Sequence, residues 1–197
     1  MSDQLSAEQH VTQSSNREFW RPEFNIFKKL LPKGKVIDIG CGSGRDALLF
    51  NADPKYDYAG IDLSEEMLEE AKRLVPDANF QRMNVYNLTF LNENFDGFWA
   101  ATSLLHIPKP NIDSVLAEIH RIVRPDGIGF ISLKEGEGES MFGHDTGYER
   151  FFVLYSEEEF RRILVRNSFE VLASHVGSRP TTGDTQWITY MVRVIYK

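Results

Sequence analysis

Apolar residues fall into short runs separated by amphipathic stretches, a pattern that predicts strands alternating with helices. Val36 to Ile39 reads as a first strand, followed by a glycine-rich turn and a helix from about Arg45. Tyr58 to Ile61 reads as a second strand. In "SEEMLEEAKRLV" after it, Met67, Ala71 and Leu74 share one helical face, Ser64 can cap, and Glu65 and Glu66 sit favourably beside the helix N-terminus. Asn79 to Val85 is a weaker third strand and Phe95 to Ala101 a fourth. The next helix, "NIDSVLAEIHRIV", sets Ile112, Val115, Leu116, Ile119 and Val123 along one stripe. "RPDG" is expected to end it and turn the chain into a fifth strand, "IGFISL".

Periodicity then lapses in "KEGEGESMFGHDTGYERFF", which reads as an irregular surface segment near the working edge of the sheet. "SEEEF" is a capping box, with Ser156 and Glu159 opening a helix whose Phe160, Ile163 and Leu164 face inward. "FEVLASHV" and "WITYMVRVIY" remain as strands, expected to pair antiparallel around "RPTTGD". The implied architecture is α/β: a Rossmann-like doubly wound sheet of about seven strands, mostly parallel with an antiparallel C-terminal strand. Residues 1–16 read as a flexible N-terminus and residues 17–197 as a single domain.

Composition narrows the classes. No apolar run approaches the roughly 20 residues that span a bilayer, and the polar start lacks the basic and apolar regions of a secretory signal, so a cytoplasmic protein away from membranes is expected. The single cysteine, Cys41, excludes an internal disulfide and a cysteine-based metal cluster, and no metal site is expected. A net charge of −7 gives no uniform attraction to phosphate backbones, so nucleic acid is not an expected partner.

The densest chemical signal is "VIDIGCGSGRD". A glycine turn after the first strand lies at the carboxyl edge, where open α/β sheets bind ligands, although tight turns also need glycine for conformation alone. The dinucleotide fingerprint G-x-G-x-x-G fails here, since Arg45 stands at its third glycine, and no P-loop string occurs. NAD, FAD and nucleoside triphosphates are therefore disfavoured. Asp38 would repel a pyrophosphate but can accept hydrogen bonds from an ammonium or hydroxyl group. Asp62, one βαβ step later in "YAGIDLS", should overhang the same crevice and accept from two ribose hydroxyls, with Leu63 against a purine face. A nucleoside with a cationic tail fits both acids.

These residues resemble the class I S-adenosylmethionine-dependent methyltransferases. The resemblance runs from about Leu30 to Lys197 and rests on "VIDIGCGSGRD", "GIDLSEEMLEEAK", "FDGFWAATSLLHIP" and "LAEIHRIVRPDGIGFISLK" in that order. Within the family it looks most similar to small bacterial enzymes loosely grouped with tellurite-resistance methyltransferases, in which "GCGSGRD", "SLLH", the "KEGEGE" type of run and a late "RP…GD…W" recur. The resemblance implies S-adenosylmethionine as cofactor and S-adenosylhomocysteine as product. It implies that Gly40, Gly42 and Gly44 admit the methionine part, that Asp38 orients it and that Asp62 grips the ribose. Asn84, followed by Val85, stands where the family commonly has an acid that accepts from the adenine amino group; an amide oxygen can accept the same bond. The backbone around Ala100 and Ala101 would receive the methionine ammonium.

Methyl transfer from a sulfonium is an in-line displacement, so holding acceptor, methyl and sulfur collinear can supply most of the catalysis. His106 in "SLLHIP" is the candidate base, set against a plainer role as a helix cap or partner of a backbone carbonyl. Lys134, Tyr148, Arg179 and Trp187 are candidate substrate residues. Phe19, Trp20 and Phe24 suggest either a lid or a helix packed on the core. The expected function is methyl transfer to a small-molecule acceptor. A cofactor-binding regulatory module without turnover and a methyltransferase acting on a macromolecule stay as alternatives, and the oligomeric state stays open.

Overall fold

The computed structural model describes residues 19–143, 149–179 and 185–196. Helix α1 (Arg21–Leu30) leads into β1 (Gly34–Ile39), α2 (Ala47–Asn51), β2 (Tyr56–Asp62), α3 (Glu65–Leu74), β3 (Asn79–Arg82) and β4 (Phe95–Ala101). Two short 3-10 turns, Leu104–His106 and Lys109–Asn111, precede α4 (Ile112–Ile122) and β5 (Val123–Lys134). A hairpin of β6 (Glu139–Gly143) and β7 (Glu149–Val153) follows, then α5 (Glu157–Arg166), β8 (Phe169–Ser178) and β9 (Gln186–Val194). Seven strands form one sheet in the order β3-β2-β1-β4-β5-β9-β8. β1 to β5 run parallel, and β9 runs antiparallel to both β5 and β8. This is the expected Rossmann-like sheet, with the strand order reversing between β1 and β4.

Alternation along β4 sends Phe98 and Trp99 to opposite faces. Trp99 meets Phe130 at 4.0 Å between ring centroids and Phe27 at 5.5 Å, while Phe98 meets Phe169 at 5.9 Å. Trp20 and Phe24 are buried to 0% and 2% exposure, so these two aromatics belong to the core. The striped helix behaves as its pattern predicts, because Ile112, Val115, Leu116 and Ile119 are fully buried. Ser64 and Ser156 cap their helices, accepting from the Met67 N–H at 3.3 Å and the Glu159 N–H at 3.1 Å. Among the described residues no helix is long and apolar enough to cross a membrane.

Four local expectations shift. The helix expected from Arg45 begins at Ala47; Arg45 bonds to Asp46, which also accepts from the Trp99 indole N–H. On α3 the buried residues are Leu68 and Ala71, whereas Leu74 is 40% exposed. The third strand stops at Arg82: the Met83 N–H donates to Asp62 O, and Asn84 then turns the chain by accepting from the Tyr86 N–H at 3.0 Å. Arg124 to Asp126 do not separate helix from strand. They form an irregularity inside β5, between the Phe95–Val123 and Gly97–Ile128 pairs, with Asp126 at φ 61°.

The segment expected to be irregular contains the β6–β7 ladder, from Glu139 opposite Val153 to Gly143 opposite Glu149. Its glycines at 136 and 138 precede the ladder, which is why composition hid it. The β8–β9 pairing is antiparallel as expected, whereas residues 180–184 of "RPTTGD" lie outside the described residues, as do residues 1–18.

Candidate active site

Parallel pairing of β1 with β2 matches Asp38 to Gly60 and Ile39 to Ile61, so Asp38 and Asp62 reach the same carboxyl edge. A cavity of about 850 Å³ opens there, lined by Asp38, Gly40, Gly42, Asp62, Leu63, Asn84, Val85, Ala101 and His106 of the expected residues. Gly44 and Ala100 do not line it, and neither do Lys134, Arg179 or Trp187. Tyr148 lies outside the described residues.

The three glycines divide their work. All have positive φ, at 71°, 53° and 82° for Gly40, Gly42 and Gly44, which side chains rarely tolerate. A Cβ on Gly44 would lie 3.0 Å from the Ala71 Cβ, so this glycine lets α3 press against the turn. A Cβ on Gly40 would lie 2.5 Å from the Ser103 Cβ. At Gly42 the same atom would meet nothing within 4 Å, so its bare face opens onto the cavity. That is a cradle for a ligand lying against backbone.

Asp62 ties the edge together. Its Oδ2 accepts from the Gly42 N–H and its Oδ1 from the Ser64 N–H, each at 2.9 Å. Each carboxylate oxygen keeps a further lone pair.

Asp38 is 2% exposed and accepts from the Tyr58 hydroxyl at 2.8 Å. Tyr58 reaches it over Gly60, where a Cβ would lie 2.8 Å from that hydroxyl oxygen. Burial, then the Asp46 carboxylate nearby, push the Asp38 carboxyl well above the usual range, against the pull of Tyr58 and Arg45. A cation arriving in the cavity would relieve this. Asp46 is itself held by Arg45 through two bonds of 2.7 and 2.8 Å and by the Trp99 indole N–H at 2.9 Å. Burial also pushes the Cys41 thiol up, which suits a packed residue and not a nucleophile.

His106 is exposed on the rim. Its Nδ1 lies 2.7 Å from the carbonyl oxygen of Phe151 on β7, and its ring stands 4.9 Å from that of Phe152. A carbonyl only accepts, so Nδ1 is the donor, and the neutral form of the ring carries its lone pair on Nε2. The anticipated backbone-carbonyl contact and a place in the cavity thus coexist.

Arg179 instead pairs with Glu23 and lies 4.6 Å from the Trp20 ring centroid, while Trp187 packs edge-on to Trp20 at 5.7 Å. Lys134 lies over the Phe152 ring at 3.8 Å. Sequence reasoning missed Tyr58, Asp46 and Ser103. For Asp46 a signal existed, since an acid directly after the glycine turn was available to receive a buried donor.

Residues 36–127 match the methyltransferase domain family. The chain is 29% identical over 153 residues to the demethylmenaquinone methyltransferase of Symbiobacterium thermophilum, covering 72% of this chain and 59% of that protein. It is 28% identical over 159 residues to the demethylmenaquinone methyltransferase of Lactobacillus johnsonii, covering 75% of this chain and 62% of that one. The chain therefore spans about three-fifths of the length of these curated relatives. Among solved structures it is similar to the 1,6-didemethyltoxoflavin-N1-methyltransferase of Burkholderia thailandensis, solved with 1,6-didemethyltoxoflavin and S-adenosylhomocysteine bound. That likeness has a TM-score of 0.77 and 26% identity, covering 99% of this chain and 87% of the other. The fold and the match over residues 36–127 support a class I S-adenosylmethionine-dependent methyltransferase.

Proposed function

We propose that the protein transfers a methyl group from S-adenosylmethionine to a small-molecule acceptor. The observation that carries this reading is one cavity lined by Asp38, the bare face of Gly42 and Asp62 and also by His106 and Phe151. About 850 Å³ lies within the usual range for small-ligand sites, roughly 300 to 1,000 Å³, and leaves room for an acceptor beside a nucleoside.

When bound, S-adenosylmethionine supplies an electrophilic methyl group on a cationic sulfur. Asp38 accepts from the ammonium group and Asp62 from the ribose hydroxyls. Leu63, Asn84 and Val85 border the purine. The β4 end at Ala101 offers backbone to the amino-acid part, with Ala100 buried behind it. His106 receives the proton of an O–H or N–H acceptor at Nε2, because Phe151 fixes the other nitrogen as donor.

Leu104, Ile107 and Phe151 make the acceptor end apolar, which suits a planar organic molecule. The relatives' names point the same way, toward quinone precursors and a small heterocycle. Lys134, Arg179 and Trp187 would act on the acceptor only through the segments they pack.

The test is calorimetric titration with S-adenosylhomocysteine, then release of S-adenosylhomocysteine from S-adenosylmethionine over a panel of hydroxylated and nitrogen heteroaromatic compounds. Binding in the micromolar range with turnover of at least one compound is expected. Absence of binding refutes the reading, and binding without turnover on any small molecule or macromolecule favours a regulatory module.

A further inference from the structure

Four buried polar side-chain atoms lack a hydrogen-bond partner among the described residues: Trp20 Nε1, Glu23 Oε2, Ser103 Oγ and Tyr155 Oη. Of these residues only Ser103 lines the cavity. Its placement is built by three separate features. Thr102 before it adopts φ 61°, a left-handed conformation that a β-branched residue rarely takes. The Thr102 N–H is pinned to Ser132 Oγ on β5 at 2.9 Å, which holds that turn. Gly40 then leaves a gap that the Ser103 side chain fills, so the serine sits directly on the glycine turn.

A buried hydroxyl with no partner lowers stability, and alanine would serve equally well if packing were its whole purpose. A strained turn that delivers such a group to the edge of a ligand cavity calls for a partner supplied by the ligand. The sheet order says which part of the ligand. Asn84 follows β3 and Asp62 ends β2, which are the purine and ribose sides, whereas Ser103 follows β4 beside Gly40. We propose that the Ser103 hydroxyl binds the amino-acid end of the cofactor, opposite the nucleoside. Rotation about the single Cα–Cβ bond carries Oγ from Gly40 toward the cavity, where it donates to a carboxylate or accepts from an ammonium group. This rests on the cofactor reading above.

The test is Ser103→Ala, compared with wild type for two ligands by calorimetry and for melting temperature without ligand. S-adenosylhomocysteine carries the amino-acid end; 5′-methylthioadenosine keeps the nucleoside and thioether without it. Affinity for S-adenosylhomocysteine should fall about tenfold, as expected for one hydrogen bond to a charged group, with affinity for 5′-methylthioadenosine unchanged. The melting temperature without ligand should stay level or rise, an effect opposite in sign to that of a structural hydroxyl. Unchanged affinity for S-adenosylhomocysteine, equal losses for both ligands or a lowered melting temperature each overturn the proposal. If wild type binds neither ligand, the cofactor reading itself has failed.

Discussion

Replacing Asp62 by alanine tests how much of the site hangs on one carboxylate. In the ligand-free protein the substitution removes two bonds of 2.9 Å, to the Gly42 and Ser64 N–H groups, and Asp62 is only half buried. Water can reach the freed donors, so each bond is taken at about 1 kcal/mol, the value for an ordinary hydrogen bond. A loss of about 2 kcal/mol lowers the melting temperature of a chain this size by roughly 4 to 8 °C. The ligand loses more. The remaining lone pairs of Asp62 face the cavity, and charged hydrogen bonds to a ribose diol are worth roughly 1.5 to 3 kcal/mol, or about 10- to 150-fold in Kd. Calorimetric titration of S-adenosylhomocysteine into both proteins reads the second quantity, and scanning calorimetry without ligand reads the first. A dissociation constant within about twofold of wild type, alongside a lower melting temperature, would mean that Asp62 only staples the glycine turn to α3 and would refute the ribose assignment.

Three further predictions use the same assays. Gly42→Ala should cost about 1 kcal/mol of stability through its positive φ but meet no clash, and should weaken S-adenosylhomocysteine binding at least tenfold; Gly44→Ala should lose more stability, adding the clash with Ala71 to the same strain. Burial, then Asp46, raise the Asp38 pKa, so through its titration affinity for an ammonium-bearing ligand should rise with pH, by at most about tenfold per unit, until Asp38 is ionised in the free site. Because the folded value is raised, the ligand-free protein should lose stability as pH climbs through that same titration. Asp38→Asn should flatten both profiles. His106→Ala should lower kcat with S-adenosylhomocysteine affinity nearly kept, and full activity of the variant from pH 6 to 9 would remove His106 as base.

The sheet and both capped helices were legible because their signals are local: Ser64 lies three residues from Met67, and the stripe from Ile112 to Ile119 repeats within one element. Asp38 and Asp62 were legible for a related reason, since parallel pairing of consecutive strands brings their ends together. What stayed hidden joins distant positions. The Trp99–Asp46 bond spans 53 residues and the His106–Phe151 contact 45, and neither is encoded by any spacing. Arg179 shows the opposite error. An arginine near glycines and a tryptophan looks like a ligand-binding group, but its charge is met by Glu23, 156 residues away.

The β6–β7 hairpin holds itself together by its own ladder and enters the cavity through Phe151, and it lies beyond the stretch that matches the methyltransferase domain family. On the proposed function, the hairpin adds Phe151 to an acceptor side that Leu104, His106 and Ile107, within the matched stretch, also line. If that reading holds, exchanging this loop between homologous enzymes should change acceptor preference while leaving the Gly42 turn intact, which makes it a graft point for engineering new acceptors.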